Sequence, residues 1–373
     1  MDGWKTMSPF IEINGRRIGT DQPVYIIAEM SANHGQRFEQ AAELIHVAKA
    51  SGADAVKLQT YTPDTLTLDC NNEYFQIRGT LWDGRTLYDL YREAFTPWEW
   101  QPRLKKIAEG LRLDFFSTPF DDSAVDFLED MGVPAYKIAS FENGDIELLR
   151  KVAATGKPVI ASTGTATLAE IDELVCTVRS AGTPLALLKC TSAYPAPPEE
   201  IRLRTIAHLA QAFDVPVGLS DHTLGTIAPV AAVAMGACII EKHFTLSRAV
   251  GGPDAAFSLE PEEFKSMVDG VRAAEKMLGR IDYRLSAAEQ KSRAFRRSLF
   301  VTADMCAGEV FTRENIRSIR PGHGLPPHYL DDILGRCATR AIDRGTPLRW
   351  DMVGGAEANP EEQPLRRRAG AAI

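Results

Sequence analysis

The feature that most constrains this chain is a recurrence. Eight short runs rich in Val, Ile, Leu and Ala alternate with longer stretches of helical period. The runs are Val24–Met30, Ala55–Thr60, Asp114–Pro119, Ala135–Ser140, Pro158–Thr163, Leu185–Cys190, Pro216–Asp221 and Cys238–Phe244. Between them lie candidate helices such as Gln40–Ala50, Ser123–Met131, Leu168–Ala181 and Thr226–Met235. Continuous apolar strands alternating with helices over roughly 250 residues predict a parallel sheet covered on its outer face and closed into a (β/α)8 TIM barrel, an α/β fold. A last helix, Glu262–Leu278, opens behind Pro261 with acids in its first turn, which suits both the fixed proline φ and the helix dipole. Upstream, Asn14-Gly15 between Phe10–Ile13 and Arg16–Ile18 predicts a short opening hairpin.

From about Leu285 the pattern changes. Residues 1–285 therefore read as hairpin plus barrel and the charged stretch 286–297 as a linker. Residues 298–353, with short apolar runs broken by Gly and charge, read as a small β-rich module, and 354–373 as a disordered tail. The net charge of −8 provides no global basic surface for nucleic acid. No apolar run approaches the roughly 18 residues of a membrane span. Six scattered cysteines without a C-x-x-C pair fit reduced thiols, and MDGWKTMSPFIEING shows no signal-peptide pattern, so a cytoplasmic location is expected.

Function in such a barrel gathers at the C-terminal strand ends, and every predicted strand here ends in polar groups. The two-residue period puts Lys57 with Gln59, Ser220 with His222, and Glu241 with His243 on shared faces. If those faces look inward, buried charge costs several kcal/mol per group unless a partner compensates it. His222 and His243, near the ends of consecutive strands, form a candidate metal pair, and two imidazoles leave positions open for water and substrate. Such a thin ligand set favours Mn²⁺, Mg²⁺ or Co²⁺ over structural zinc. Lys57, Lys137, Ser140, Ser162 and Ser220 resemble an anion cradle, with ion pairs to Glu29 and Glu241 as the bland alternative. The lysines also permit a Schiff-base aldolase with Lys189 as nucleophile. The aromatic insert of residues 78–100 fits either a wall over the mouth or oligomer packing.

The motifs IAEMSANH, AVKLQTYTPDT, STPFD, AYKIAS, STGTAT, LLKCTSAYPAPPEE, VGLSDHTLG, IEKHFTLSR and GGPDAAFSLEP, in that order, resemble the sialic acid synthase family. RRSLF and IRSIRPGHGL resemble its C-terminal SAF, or antifreeze-like, domain. Within the family, AEMSANH, the TPDT segment, the aromatic insert and Ser192 look like the branch that makes pseudaminic acid. The resemblance implies condensation of phosphoenolpyruvate with a 2,4-diacetamido-2,4,6-trideoxy sugar of the L-altro series; N-acetylneuraminate or legionaminate synthesis is the alternative within the family. By motif, His222 and His243 would hold the metal, and Lys57, Thr118, Lys137, Ser140, Ser162 and Ser220 the phosphoenolpyruvate. Glu29 and Glu241 match acids beside the reacting carbons. Gln59, Tyr194 and Asp254 match sugar-contacting positions, and Ser192 stands where the neuraminate branch has asparagine. Arg320 matches an arginine that reaches the partner subunit's barrel, which implies a homodimer with a domain-swapped SAF domain.

Overall fold

The computed structural model describes residues 9–356. Eight parallel strands close into a barrel: β3 (Tyr25–Glu29), β4 (Ala55–Thr60), β5 (Asp114–Pro119), β6 (Tyr136–Ile138), β7 (Val159–Ser162), β8 (Leu185–Cys190), β9 (Val217–Asp221) and β10 (Ile239–His243), with β10 pairing back onto β3. Each strand lies within its expected run, three of them over the full length. The others are shorter by a residue or more at one or both ends. The expected helices also form, for example Phe38–Ala50, Asp122–Met131, Leu168–Ser180, Ile227–Ala234 and Pro261–Leu278.

Alternation along the strands divides the apolar residues into two layers. Ile26, Ala28, Val56, Leu58, Leu187 and Leu219 face outward and pack under Leu44, Ile45, Leu149, Leu174 and Phe264 from the helices. Tyr25, Ile27, Ala55, Phe116, Ile160, Ala186, Leu188 and Ile239 face inward. They fill the lower barrel, and burying each aliphatic chain contributes about 1.5–3 kcal/mol. The opening hairpin forms as expected: β1 (Phe10–Ile13) pairs with β2 (Arg16–Gly19), and Asn14 and Gly15 take φ of 49° and 76° in the turn. Ile11, Ile13 and Ile18 join the inward cluster and floor the barrel. Asp114 fastens this floor by accepting 2.7 Å bonds from the Asn14 amide and the Tyr25 hydroxyl. With its lower half filled, the barrel leaves only its upper end for chemistry.

The chain divides into a unit ending at Gly279 and a second unit beginning at Arg280. In the second, the stretch expected as a linker folds into a short helix, Ala287–Ser292, capped by the Ser286 hydroxyl. β11 (Ser298–Val301) pairs with β12 (Ile316–Ile319) and β13 (Arg336–Ala338) with β14 (Val353–Ala356), around Leu299, Val301, Phe311, Ile316, Ile333, Ile342 and Leu348. The β-rich module thus extends to Ala356, past the expected end at Val353, and the rest of the expected tail lies outside the described residues. Among the described residues, no helix is long and apolar enough to cross a membrane. All six cysteines are unpaired.

Candidate active site at the barrel mouth

The inward face changes character above the aliphatic layers. Glu29, Lys57, Thr118, Lys137, Ser162, Ser220, His222, Glu241 and His243 are all buried: Glu29, Ser162 and His243 close their strands, Thr118 and Ser220 stand one residue before the end, Lys57, Lys137 and Glu241 lie mid-strand, and His222 follows β9. Lys57 Nζ lies 2.7 Å from Glu29 Oε2 and 3.8 Å from Glu241 Oε1. Its ammonium also reaches Thr118 Oγ1 at 3.3 Å. Lys137 Nζ donates to Ser162 Oγ at 2.6 Å and lies 3.8 Å from Glu241 Oε1, which accepts from the Ser220 hydroxyl at 3.0 Å. The sequence-predicted phosphoenolpyruvate residues thus converge on two ammonium groups.

The two carboxyls are shifted in opposite directions. Burial raises the pKa of Glu29 above the ordinary range, and Lys57 only partly offsets it. Burial also opposes ionisation of Glu241, but Lys137, Lys57 and the Ser220 hydroxyl outweigh it and hold its pKa below the ordinary value. Burial lowers the pKa of Lys137, whereas Glu241 and Glu29 overcome burial at Lys57 and raise it. Carboxyls pushed apart in this way suit an acid–base pair. The cluster is also incomplete: Glu241 Oε2 and Glu29 Oε2 are buried without a hydrogen bond, the latter despite lying so close to Lys57.

Beside this cluster the two histidines meet. The His222 and His243 rings lie 5.3 Å apart between centroids. His222 Nδ1 sits 3.1 Å from the Thr191 carbonyl; donating to it fixes the tautomer that leaves Nε2 with its lone pair. His243 Nδ1 is buried with no hydrogen-bond partner, and Asp254 Oδ2 is 3.8 Å away. A bare imidazole nitrogen in a buried polar pocket fits a metal ligand. Burial and the charge of His222 and nearby lysines depress the pKa of His243, keeping it neutral as a ligand must be. No third His, Cys, Asp or Glu completes a cluster among the described residues. The donor set therefore fits an open, weakly held divalent ion rather than a closed structural zinc site.

The predicted sugar positions separate into two places. Gln59 donates from Nε2 to Glu29 Oε1 and to Ser31 Oγ, both at 2.9 Å, and Ser31 donates to Asp254. Tyr194 stacks 4.4 Å from His222 and 5.2 Å from Phe257. Ser192 Oγ lies 3.8 Å from Cys190 Sγ, which is itself 3.8 Å from His222 Nδ1. A Cβ on Gly164 would overlap the hydroxyls of both Ser192 and Ser140, so Gly164 lets these two approach each other on the anion-cradle side. Arg320 is exposed in the second unit.

Lys189 is the clear correction. Leu188 and Cys190 face the interior, so the residue between them turns away from the mouth, and its ammonium binds the Cys190 carbonyl at 2.5 Å and Thr191 Oγ1 at 3.0 Å. A Schiff-base nucleophile there would not face the pocket. Three contributors were missed by sequence reasoning. Glu142, just beyond β6, has a buried, unpaired Oε2, and burial raises its pKa to about 7. Cys190, beside His222, has its pKa brought down to about 7: burial opposes ionisation, but the His222 ring and the Ser140 hydroxyl outweigh it. Trp82, in the aromatic insert, donates from Nε1 to the Pro253 carbonyl at 2.8 Å and packs 5.8 Å from Tyr194. The insert therefore walls the mouth. The AEMSANH and TPDT motifs gave no signal for these contacts; the Trp-rich composition of the insert did.

The NeuB family model matches residues 44–283, and a SAF domain matches residues 296–354. The chain belongs to the NeuB family. This NeuB-family chain is 46% identical over 331 residues to the pseudaminic acid synthase of Campylobacter jejuni, covering 88% of this chain and 96% of that one. It is 44% identical to the pseudaminic acid synthase of Helicobacter pylori, over 89% of this chain and 98% of that one. A crystal structure of N-acetylneuraminic acid synthetase from Leptospira borgpetersenii, in complex with citrate, superposes with a TM-score of 0.69 at 33% identity, covering 76% of this chain and 95% of that chain.

Proposed function

We propose that this NeuB-family chain condenses phosphoenolpyruvate with 2,4-diacetamido-2,4,6-trideoxy-L-altrose and water, forming pseudaminic acid and releasing phosphate. The observation that carries the proposal is the mouth itself: two buried ammoniums and three hydroxyls face a pair of carboxyls whose pKa values are pushed in opposite directions, beside two imidazoles. The choice of sugar is supported by the likeness to pseudaminic acid synthases over most of the chain.

Lys57 and Lys137, with Thr118, Ser140, Ser162 and Ser220, hold the phosphate and carboxylate of the enol phosphate and neutralise them throughout. Ser192, lying against Ser140, belongs with this group. His222 and His243 hold a divalent ion, Mn²⁺ first and Mg²⁺ or Co²⁺ otherwise, which when bound supplies a Lewis acid for the aldehyde oxygen of the open-chain sugar. Gln59, Asp254, Tyr194 and Trp82 orient the sugar so that its C1 meets C3 of phosphoenolpyruvate, and such placement supplies roughly 7–11 kcal/mol of the barrier reduction. As the new C–C bond forms, positive charge develops at C2, and ionised Glu241 stabilises it. Glu29, whose environment favours the proton, takes a proton from the water that adds at C2 and returns it as the C–O bond to phosphate breaks. In a dimer, Arg320 of the partner copy completes the sugar subsite.

The test is phosphate release from phosphoenolpyruvate with Mn²⁺ and, separately, the diacetamido-L-altro sugar, its D-manno counterpart from legionaminate synthesis, and N-acetylmannosamine. Release with the L-altro sugar alone is expected. Preferential use of either alternative sugar overturns the substrate assignment while leaving the condensation intact. Release with no sugar at all overturns the proposal.

A further inference from the structure

The alternation that sends Glu241 and His243 into the mouth sends Lys242, between them, outward, where it is fully buried. Its ammonium lies 2.6 Å from Asp221 Oδ2 and donates as well to the Thr223 carbonyl. Asp221 in turn accepts from the Thr223 amide and hydroxyl, each at 3.0 Å. Both side chains of the ion pair have no solvent exposure. The four contacts bracket a single residue, His222, from the positions before and after it.

The backbone alone does not hold His222 in the same way. The ladder between β9 and β10 has its last rung where Lys242 faces Asp221, and β9 ends there. His222 is the first residue past that rung. Its carbonyl accepts from the Ala196 amide at 2.9 Å, in the loop that follows β8. Nothing in the ladder fixes it against β10, which carries His243. Between barrel and helices the neighbouring outward residue of β10 is Ile240, an ordinary apolar choice. A buried ion pair in such a layer is a poor way to gain stability over an apolar pair, and its best-attested use is to fix one register.

We infer that the Lys242–Asp221 pair is a positioning device: it fixes His222 beyond the end of β9, holds the two imidazoles at their 5.3 Å spacing and so sets the affinity for the divalent ion. Neither residue touches substrate. This rests on the metal assignment proposed above.

The experiment compares wild type, Lys242→Arg and the charge-free double variant Lys242→Met/Asp221→Asn, which keeps side-chain volume. Mn²⁺ affinity is measured by calorimetry on metal-stripped protein, alongside thermal unfolding without metal and KM for phosphoenolpyruvate. The double variant should unfold near the wild-type temperature yet bind Mn²⁺ about 10–100-fold more weakly, as loss of supporting groups around a metal site does. Its KM for phosphoenolpyruvate should move little, because that cradle stands mainly on β4, β6 and β7. Lys242→Arg, which keeps the charge, should restore Mn²⁺ binding to within a few-fold of wild type. Unchanged Mn²⁺ affinity in the double variant overturns the inference. If the double variant does not fold, Asp221→Asn alone answers the same question: weakened binding supports the clamp and unchanged binding overturns it. Wild-type protein that binds no Mn²⁺ would instead defeat the metal assignment beneath it.

Discussion

On the outer face of β10, Lys242 meets Asp221 at 2.6 Å, and the hydrogen bonds of both groups are taken up by Thr223. On the inner face of the same strand, Glu241 lies 3.8 Å from two ammoniums, its Oε2 has no hydrogen bond, and His243 keeps a bare Nδ1. Both faces bury a carboxylate close to ammonium groups, and the burial is comparable. The outer pair is closed and holds a shape. The inner cluster is left short of partners, at a cost of about 1–3 kcal/mol for each unpaired buried group: its orphaned carboxylate oxygens call for donors such as water or sugar hydroxyls, and the bare His243 Nδ1 suits the proposed metal. Incomplete satisfaction, rather than buried charge as such, distinguishes a site from a brace.

The widest gap between the two faces should come from the imidazoles. His222→Ala or His243→Ala should lower phosphate release by about 10³-fold, the loss of several kcal/mol of Lewis-acid stabilisation, with an unchanged far-UV CD spectrum; near-normal release without added metal would break the comparison. Next comes the cradle. Phosphoenolpyruvate at 100 times its Kd should stabilise wild type by about 2.7 kcal/mol, and Lys57→Met or Lys137→Met should remove most of that thermal shift. In Lys242→Arg, on the outer face, the shift should persist. A smaller effect is expected at Arg320→Ala: roughly tenfold higher KM for the sugar, about 1.4 kcal/mol, and an unchanged KM for phosphoenolpyruvate. An unchanged sugar KM would argue against Arg320 entering a partner's mouth.

The smallest effect sharpens the inner face alone. Burial raises the Glu142 carboxyl to about 7 from an ordinary 4.5. A raised folded-state pKa means that the folded protein holds this proton more tightly, so its favourable contribution is complete below the ordinary value and is lost as pH rises through about 7. Glu142→Gln should therefore unfold at the wild-type temperature near about pH 5 and roughly 1–3 °C above it near about pH 8. A shift of equal size at both pH values would remove Glu142 from the set of strained acids.

The barrel was legible because its signal is periodic and redundant: eight apolar runs with polar ends do not depend on any one residue. The same period of two put Lys57 with Gln59, Ser220 with His222 and Glu241 with His243 on shared faces, and the fold shows that those faces look inward. That period, carried one residue further, also places Lys189 outside, but its position at a strand end drew attention before its parity did. Ser192 was harder, since only the close approach allowed by Gly164 shows which neighbours it keeps. Glu142 and Trp82 lie in loops, where no period tells which way a side chain points. The clamp at Lys242 was invisible for a related reason: the period of two sets this lysine on the face opposite Glu241 and His243, but only the fold shows the buried Asp221 that it meets there.

The most direct measurement is phosphate release by EDTA-treated enzyme with phosphoenolpyruvate and the diacetamido-L-altro sugar, before and after Mn²⁺ is restored, with borohydride added in a parallel sample. The account predicts negligible release without metal, full recovery with Mn²⁺ and no reduced lysine adduct. Release that ignores EDTA, together with a borohydride-trapped lysine, would contradict it.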